Sequence, residues 1–181
     1  MVLTVVENMR FVPLGIGHAN GVMKIFSYYC VNSYAAFPST ELGVAWYQKF
    51  LELSRGYPAY AVTDAADEVL GFCFLSAYNP FPTFRKTAKF SCFIAPDFRG
   101  QGIGSACLQK ICSAARDQSV SVLISEIADC NQESISFHER HGFVRVGELA
   151  DIGEKFGRSF GVVLMRKTLS EKGRGPVREV S

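Results

Sequence analysis

The sequence predicts an α/β fold, a mixed sheet with a strand-turn-helix-strand unit at its middle, on three observations. Apolar runs bounded by turn residues alternate along the chain with stretches of helical periodicity. The run "RKTAKFSCFIA" (85–95) ends at Pro96 and leads through glycine-rich "PDFRGQGIGS" into an amphipathic stretch. A further apolar run and a second capped helix follow directly in "SVSVLISEIADCNQESISFHERHGF" (119–143).

Each element has its own signal. "MRFVPL" (9–14) reads as a short strand, and Val22, Ile25, Phe26 and Tyr29 within 18–30 fall at helical spacing. "FPSTELGVAWYQKFLEL" (37–53) predicts a second helix, capped at Ser39 or Thr40, with Val44, Tyr47, Phe50 and Leu51 along one side. "GYPAYAVTDAADEVLGFCFLSAY" (56–78) predicts a hairpin turning between Asp64 and Glu68. Strand 85–95 stops at Pro96 because proline has no N–H for a ladder and turns Ala95 away from helix. Ile103, Cys107, Leu108, Ile111, Ala114 and Ala115 mark one face of a helix running to about Arg116. Residues 119–128 form a strand, and Asn131 caps a helix that Gly142 stops. "FVRVGEL" and "FGRSFGVVLMRKTL" are two final strands.

A chain of 181 residues, 48% hydrophobic and 20% charged, suits one globular domain with a proper core, assigned here to 1–169. The tail "SEKGRGPVREVS" (170–181) has almost nothing to bury and is expected to be disordered. A net charge of +2 is too mild for a nucleic-acid or membrane-surface protein and favours a small-molecule or protein partner. The N-terminus is too short in apolar residues for a secretory signal, and no stretch approaches a membrane span, so a cytoplasmic location is expected. The six cysteines (30, 73, 92, 107, 112, 130) form no C-x-x-C pair and read as reduced core residues. With histidines only at 18, 138 and 141, no ligand spacing emerges, and no metal is expected.

Chemistry concentrates in "PDFRGQGIGSACL" (96–108). Backbone N–H groups at a helix start converge on a point of partial positive charge, and glycines let an anion approach closely. Arg99 adds a fixed charge able to grip phosphate oxygens in bidentate fashion. No Lys-Ser/Thr pair makes a Walker loop, and the glycines at 100, 102 and 104 do not fit G-x-G-x-x-G, which leaves a pyrophosphate as the best-fitting anion. The plain structural alternative is a glycine-rich strand-to-helix turn with an exposed arginine.

The strand ending "FIAPDFRGQGIGS", a helix, a second strand, then "NQESISFHERHGF" resembles the GNAT acetyltransferase superfamily, with its Arg/Gln-x-x-Gly-x-Gly/Ala loop. "GVAWYQKFLELSRGYPAYAV", "FRKTAKFSCFIAPDFRGQGIG", "NQESISFHERHGFVRVGEL" and "DIGEKFGRSFGVVLM" extend the likeness over nearly the whole chain, to the phosphinothricin and methionine sulfone acetyltransferases. The resemblance implies the GNAT fold, a mixed, mostly antiparallel sheet flanked by helices. It also implies acetyl-CoA as co-substrate, transfer to the amine of a small amino-acid analogue, and a homodimer formed through the C-terminal strands. By the same likeness Ile94 presents main-chain groups to the pantetheine and acetyl carbonyl. Arg99, Gly100, Gln101, Gly102, Gly104 and Ser105 wrap the pyrophosphate, and Asn131 bonds the pantetheine arm.

An alkylammonium acceptor must lose a proton before it attacks, and the departing thiolate gains from an acid. His138 stands where the superfamily usually has tyrosine, which implies the acid role; alternatively it is a helix-end histidine with a backbone partner. The resemblance to the phosphinothricin and methionine sulfone acetyltransferases implies a glutamate where this chain has Lys89. The wider superfamily often has Leu-Glu-Val before the asparagine, which puts Glu126 forward as base, or else as a surface carboxylate paired with Lys89. Arg85 aligns with a family arginine near the substrate and, with Lys89, would suit an anionic acceptor; otherwise both are exposed cations on an edge. Ser159 and Gly161 replace the relatives' Trp and Asp, which implies a reshaped pocket. Acetylation of a protein N-terminus or an antibiotic amine, and a non-catalytic CoA-binding module, are the alternative functions.

Overall fold

The computed structural model describes residues 8–169, so the tail expected to be disordered lies outside the described residues. Strand β1 (Arg10–Pro13) precedes helices α1 (Ala19–Asn32) and α2 (Tyr47–Leu53). Strands β2 (Ala59–Thr63), β3 (Val69–Ala77) and β4 (Thr87–Ile94) follow, then α3 (Ile103–Asp117), β5 (Val122–Ala128), α4 (Gln132–Arg140), β6 (Val144–Lys155) and β7 (Arg158–Thr168). The seven strands form one sheet in the order β1-β2-β3-β4-β5-β7-β6. Only β4 and β5 run parallel; the other neighbours are antiparallel.

Strand alternation gives the sheet two apolar faces. Cys73 and Leu75 of β3, Ala88 and Phe90 of β4 and Leu123 of β5 point toward Ile103, Cys107, Leu108 and Ile111 of α3 and Ile135 of α4. Phe72 and Phe74 of β3 point the other way, onto Val22, Phe26 and Tyr29 of α1 and Tyr47 and Phe50 of α2. Burying each such side chain contributes about 1.5–3 kcal/mol, so the faces fix the strand registers. The β2–β3 turn is held by the Asp64 carboxylate, which accepts from the N–H groups of Ala66 and Glu68 at 2.9 Å.

Three expectations need correction. The second helix does not start at Ser39 or Thr40: a 3₁₀ turn at Val44–Trp46 precedes α2, and Val44 is 50% exposed. The preceding stretch is tied elsewhere, since Ser27 and Leu42 exchange hydrogen bonds, and α2 begins where Tyr47 enters the core. Cys130 is exposed, whereas Cys30, Cys73, Cys107 and Cys112 are buried as expected. Strand β6 runs past Leu149 to Lys155, its register on β7 shifting between Leu149 and Gly153.

Lys155 ends β6 with a buried ammonium, 2% exposed. It donates to the carbonyls of Ser33 and Ala36 at 2.6 Å and of Tyr29 at 3.4 Å, capping the C-terminal end of α1. Burial pulls its pKa below the ordinary lysine value.

Candidate active site

Strands β4 and β5 pair only from Thr87↔Val122 to Lys89↔Ile124, and then they part. Lys86 C=O accepts from Val122 N–H, whereas Ala95 N–H reaches Leu70 C=O of β3, so even-numbered residues of β4 direct their backbone groups toward β5. Past the last pair, the amide and carbonyl groups of Phe90, Cys92 and Ile94 therefore line an open wedge. The opposite wall is Glu126 to Ala128, since Asp129 N–H bonds Gly161 C=O and odd-numbered β5 residues face β7. The resulting cleft has a volume of about 740 Å³, ample for a cofactor-sized ligand. One backbone group in it is already engaged: the Tyr29 hydroxyl, its pKa pushed up to about 12 by burial, donates to Ile94 C=O at 2.6 Å.

At the wide end stands the glycine loop. Gly100 and Gly102 have φ of 72° and 87°, a conformation that glycine adopts without strain, and Gly102 is the N-cap of α3. The first-turn N–H groups of α3 have no acceptor within the helix and open on the cleft. Arg99 is bonded to the Glu133 carboxylate, on the first turn of α4. Ser105 Oγ lies 3.0 Å from His141 Nε2, while His141 Nδ1 lies 2.7 Å from Phe137 C=O. A carbonyl only accepts, so His141 Nδ1–H donates to it. Asn131 caps α4 through its carbonyl oxygen, 3.2 Å from Ser134 N, which leaves its amide NH₂ available. Gln101 turns back onto Asp97 C=O at 3.0 Å and does not line the cleft.

His138 is 7% exposed and lies against the rings of Phe90, Phe137 and Phe143. Its Nδ1 is 2.7 Å from Ser134 C=O, so the neutral ring holds its proton there and leaves Nε2 as an acceptor. Burial keeps the imidazole below its ordinary pKa, against the pull of that carbonyl. A neutral ring in this tautomer cannot donate from Nε2, so the acid role expected of His138 requires that it first receive a proton. Ser125, beside Glu126 on β5, is 3% exposed and lines the cleft, and its Oγ has no hydrogen-bond partner.

Glu126 lies on the α1 side of the wedge, its Oε1 2.7 Å from Lys89 Nζ, with both side chains about one-third exposed. The pairing named as an alternative is thus present, although Glu126 also lines the cleft. Arg85 is exposed beyond the start of β4 and, like Lys89, does not line the cleft. The other predicted residues (Ile94, Arg99, Gly100, Gly102, Gly104, Ser105, Asn131 and His138) all line it. Sequence reasoning missed Tyr29, Glu133, Ser125 and His141. Glu133 and His141 stood inside the quoted motif, read only as a first-turn acid and as one of three histidines without ligand spacing, while Tyr29 and Ser125 have no site signal apart from the tertiary packing. Among the described residues no group of three His, Cys, Asp or Glu side chains could hold a metal ion.

A wedge between parted parallel strands, with the N–H groups of a helix start at its wide end and titratable side chains along its lining, is an arrangement suited to an elongated ligand with an anionic end. Residues 23–143 match the acetyltransferase (GNAT) family. The L-methionine sulfoximine/L-methionine sulfone acetyltransferase of Pseudomonas aeruginosa is 32% identical over 164 residues, covering 90% of this chain and 95% of that protein. The phosphinothricin N-acetyltransferase of Alcaligenes faecalis is 34% identical over 119 residues, 65% of this chain and 60% of that protein. Among solved structures, a GNAT superfamily phosphinothricin acetyltransferase from Sinorhizobium meliloti in complex with AcCoA superposes with a TM-score of 0.84 at 23% identity, covering 96% of this chain and 95% of that one. The chain belongs to the GNAT acetyltransferase family.

Proposed function

We propose that this protein transfers the acetyl group of acetyl-CoA to the α-amine of a small amino acid or amino-acid analogue. The observation that carries the reading is the wedge between β4 and β5, which opens onto the glycine-flanked start of α3. The first-turn N–H groups of α3, which have no acceptor within the helix, are the kind of partner an acyl-CoA would satisfy. Arg99, Gly100, Gly102, Gly104 and Ser105 hold the pyrophosphate, and the Asn131 amide bonds the pantetheine arm. A backbone N–H of Ile94, aimed at the thioester oxygen, supplies roughly 3 kcal/mol of transition-state stabilisation.

Two side chains divide the proton traffic between the two faces of the sheet. Glu126, on the α1 side, receives the acceptor's ammonium and takes its first proton. The neutral Nε2 of His138, on the α3 side, accepts the second proton as nitrogen bonds to carbon, and returns it to sulfur. One proton leaves to solvent through Glu126, and the thiol is released neutral. Lys89, adjacent to Glu126, suits the carboxylate of a zwitterionic acceptor.

Cytoplasmic location is part of this reading, supported by the buried free thiols of Cys30, Cys73, Cys107 and Cys112. Among the described residues no helix is long and apolar enough to cross a membrane. The reading includes a homodimer through edge strand β6, where Val144, Val146, Leu149 and Ile152 are 48–58% exposed. An unpaired edge with that much apolar surface invites a second copy, and Ile152→Lys together with Leu149→Lys should yield a monomer by sedimentation.

The test is thiol release from acetyl-CoA with amino acids, methionine sulfone, methionine sulfoximine and phosphinothricin, against polyamines, aminoglycosides and short peptides. Turnover concentrated in the first group is the expected result. Activity confined to the second group would reassign the acceptor.

A further inference from the structure

We propose that Lys155, buried at the tip of the β6–β7 hairpin, is a positioning residue for the acceptor amine, clamping the turn after α1 that walls the acceptor side of the cleft. The assignment rests on the acetyltransferase reading above and adds to it the segment that the acceptor meets.

Lys155 holds that turn at two points. Its Nζ faces three carbonyls, those of Ser33 and Ala36 at 2.6 Å and of Tyr29 at 3.4 Å. A carbonyl only accepts, so the group is an ammonium that donates all three protons. The Lys155 carbonyl in turn accepts from the Tyr34 hydroxyl at 3.0 Å. Asn32, Ser33, Tyr34 and Ala35 line the cleft, on the same side of the sheet as Glu126.

Local geometry makes the lysine a fixed point. Lys155 pairs with Arg158, so Phe156 and Gly157 form a two-residue hairpin turn with positive φ at both, 54° and 71°. Glycine adopts that conformation freely, whereas a bulky residue keeps it only where its surroundings hold it. The Phe156 ring has Lys155 Nζ 4.8 Å from its centroid and meets the Tyr34 ring edge-on at 5.4 Å. The strained turn is thus locked onto the same segment that the ammonium binds.

Folding alone gives little reason for this arrangement. A helix C-terminus is ordinarily finished by glycine or water, whereas burying an ammonium strips it of its hydration. Among the described residues Lys155 forms no ion pair to offset that cost. Beyond a cap, the ammonium ties Tyr29, Ser33 and Ala36 to one atom. The backbone from the last turn of α1 to Ala36 therefore keeps one shape, and that backbone carries the side chains that line the cleft.

The test is steady-state kinetics of Lys155→Met with the amino-acid acceptors, at a temperature where circular dichroism shows it folded. Acceptor KM should rise about tenfold, while acetyl-CoA KM stays within about threefold. A merely structural loss would instead lower kcat alone, because the molecules that remain folded bind as before. Lys155→Arg, which keeps a cation and its donors, should bring acceptor KM back to within about threefold of the wild type. Tyr34→Phe removes only the bond to the Lys155 carbonyl and should raise acceptor KM about threefold, which reads the clamp should Lys155→Met fail to fold. An unmoved acceptor KM in Lys155→Met, or in Tyr34→Phe where Lys155→Met does not fold, would overturn the assignment, as would an equal rise in both KM values. Either result would leave the acetyl-transfer reading standing, whereas a wild type with no turnover on any amine would overturn both.

Discussion

Lys89 Nζ and Glu126 Oε1 meet at 2.7 Å just beyond the point where β4 and β5 part, so the carboxylate proposed to receive the acceptor is held by a cation from the opposite strand. As an exposed pair it contributes only ~0.2–1 kcal/mol to stability, which leaves it free to open for a ligand. Glu126→Gln should lower kcat by about a hundredfold while leaving CoA affinity intact. Lys89→Met should raise KM for amino-acid acceptors by about tenfold and spare acceptors that lack a carboxylate. If Glu126→Gln kept full turnover and an unchanged pH profile, Glu126 would be no more than the partner of Lys89.

The buried imidazole of His138 makes stability sensitive to acid and, in its proposed role, activity as well. Its folded pKa lies below the unfolded value of about 6.5, so the stabilisation is complete above that value and is lost as pH falls through it toward the folded pKa. Thermal melts should fall between pH 7 and pH 5, and less steeply in His138→Gln. The acid limb of kcat should follow the same group, and His138→Gln should lose roughly a hundredfold or more in kcat.

Arg99 is bonded to Glu133, so a pyrophosphate has to draw the guanidinium away from a carboxylate. Glu133→Ala should lower KM for acetyl-CoA by up to about fivefold, the worth of an exposed ion pair, with the difference vanishing at high salt. Arg99→Ala should raise that KM by about tenfold or more. Equal acetyl-CoA kinetics in both variants and the wild type would place Arg99 outside the phosphate site.

At Gly161 the space for a side chain is already taken. A Cβ at 161 would lie 2.8 Å from both Asp129 Oδ2 and the carbonyl oxygen of Leu149, while Gly161 N–H donates to Asp129 Oδ2 at 2.9 Å. Gly161→Asp should therefore destabilise the protein by about 2 kcal/mol or more, read as a lowered melting temperature. Adding Asp129→Gly should recover part of the loss if the side-chain contact contributes to it.

Much of the fold was legible because its signals are local. Pro96 ends a strand, Gly100 and Gly102 turn the chain into α3, and Asn131 caps α4 with its own side chain. The second helix was misread because Ser39 and Thr40 imitate a cap, while a distant contact, Ser27 with Leu42, decides that stretch. At the site the glycine loop could be read as a motif, whereas Arg85 could not be placed, since alignment to a family position does not say that a side chain reaches the cleft. Ser125 and Tyr29 were illegible for a physical reason. One stands out for a hydrogen bond it lacks and the other for a bond to a backbone carbonyl many residues away, and neither leaves a trace in spacing or composition.

Lys155 joins parts of the chain that the sheet order keeps far apart. Its ammonium binds the carbonyls of Tyr29, Ser33 and Ala36, and Tyr29 in turn bonds Ile94 C=O on the edge of the wedge. Amide hydrogen exchange should therefore treat the tip of the β6–β7 hairpin, the last turn of α1 and the end of β4 as one cooperative unit. Lys155→Met should deprotect those three segments together while leaving α3 slow. Loosening of the outermost strand would then be felt at the acyl-carrier cleft.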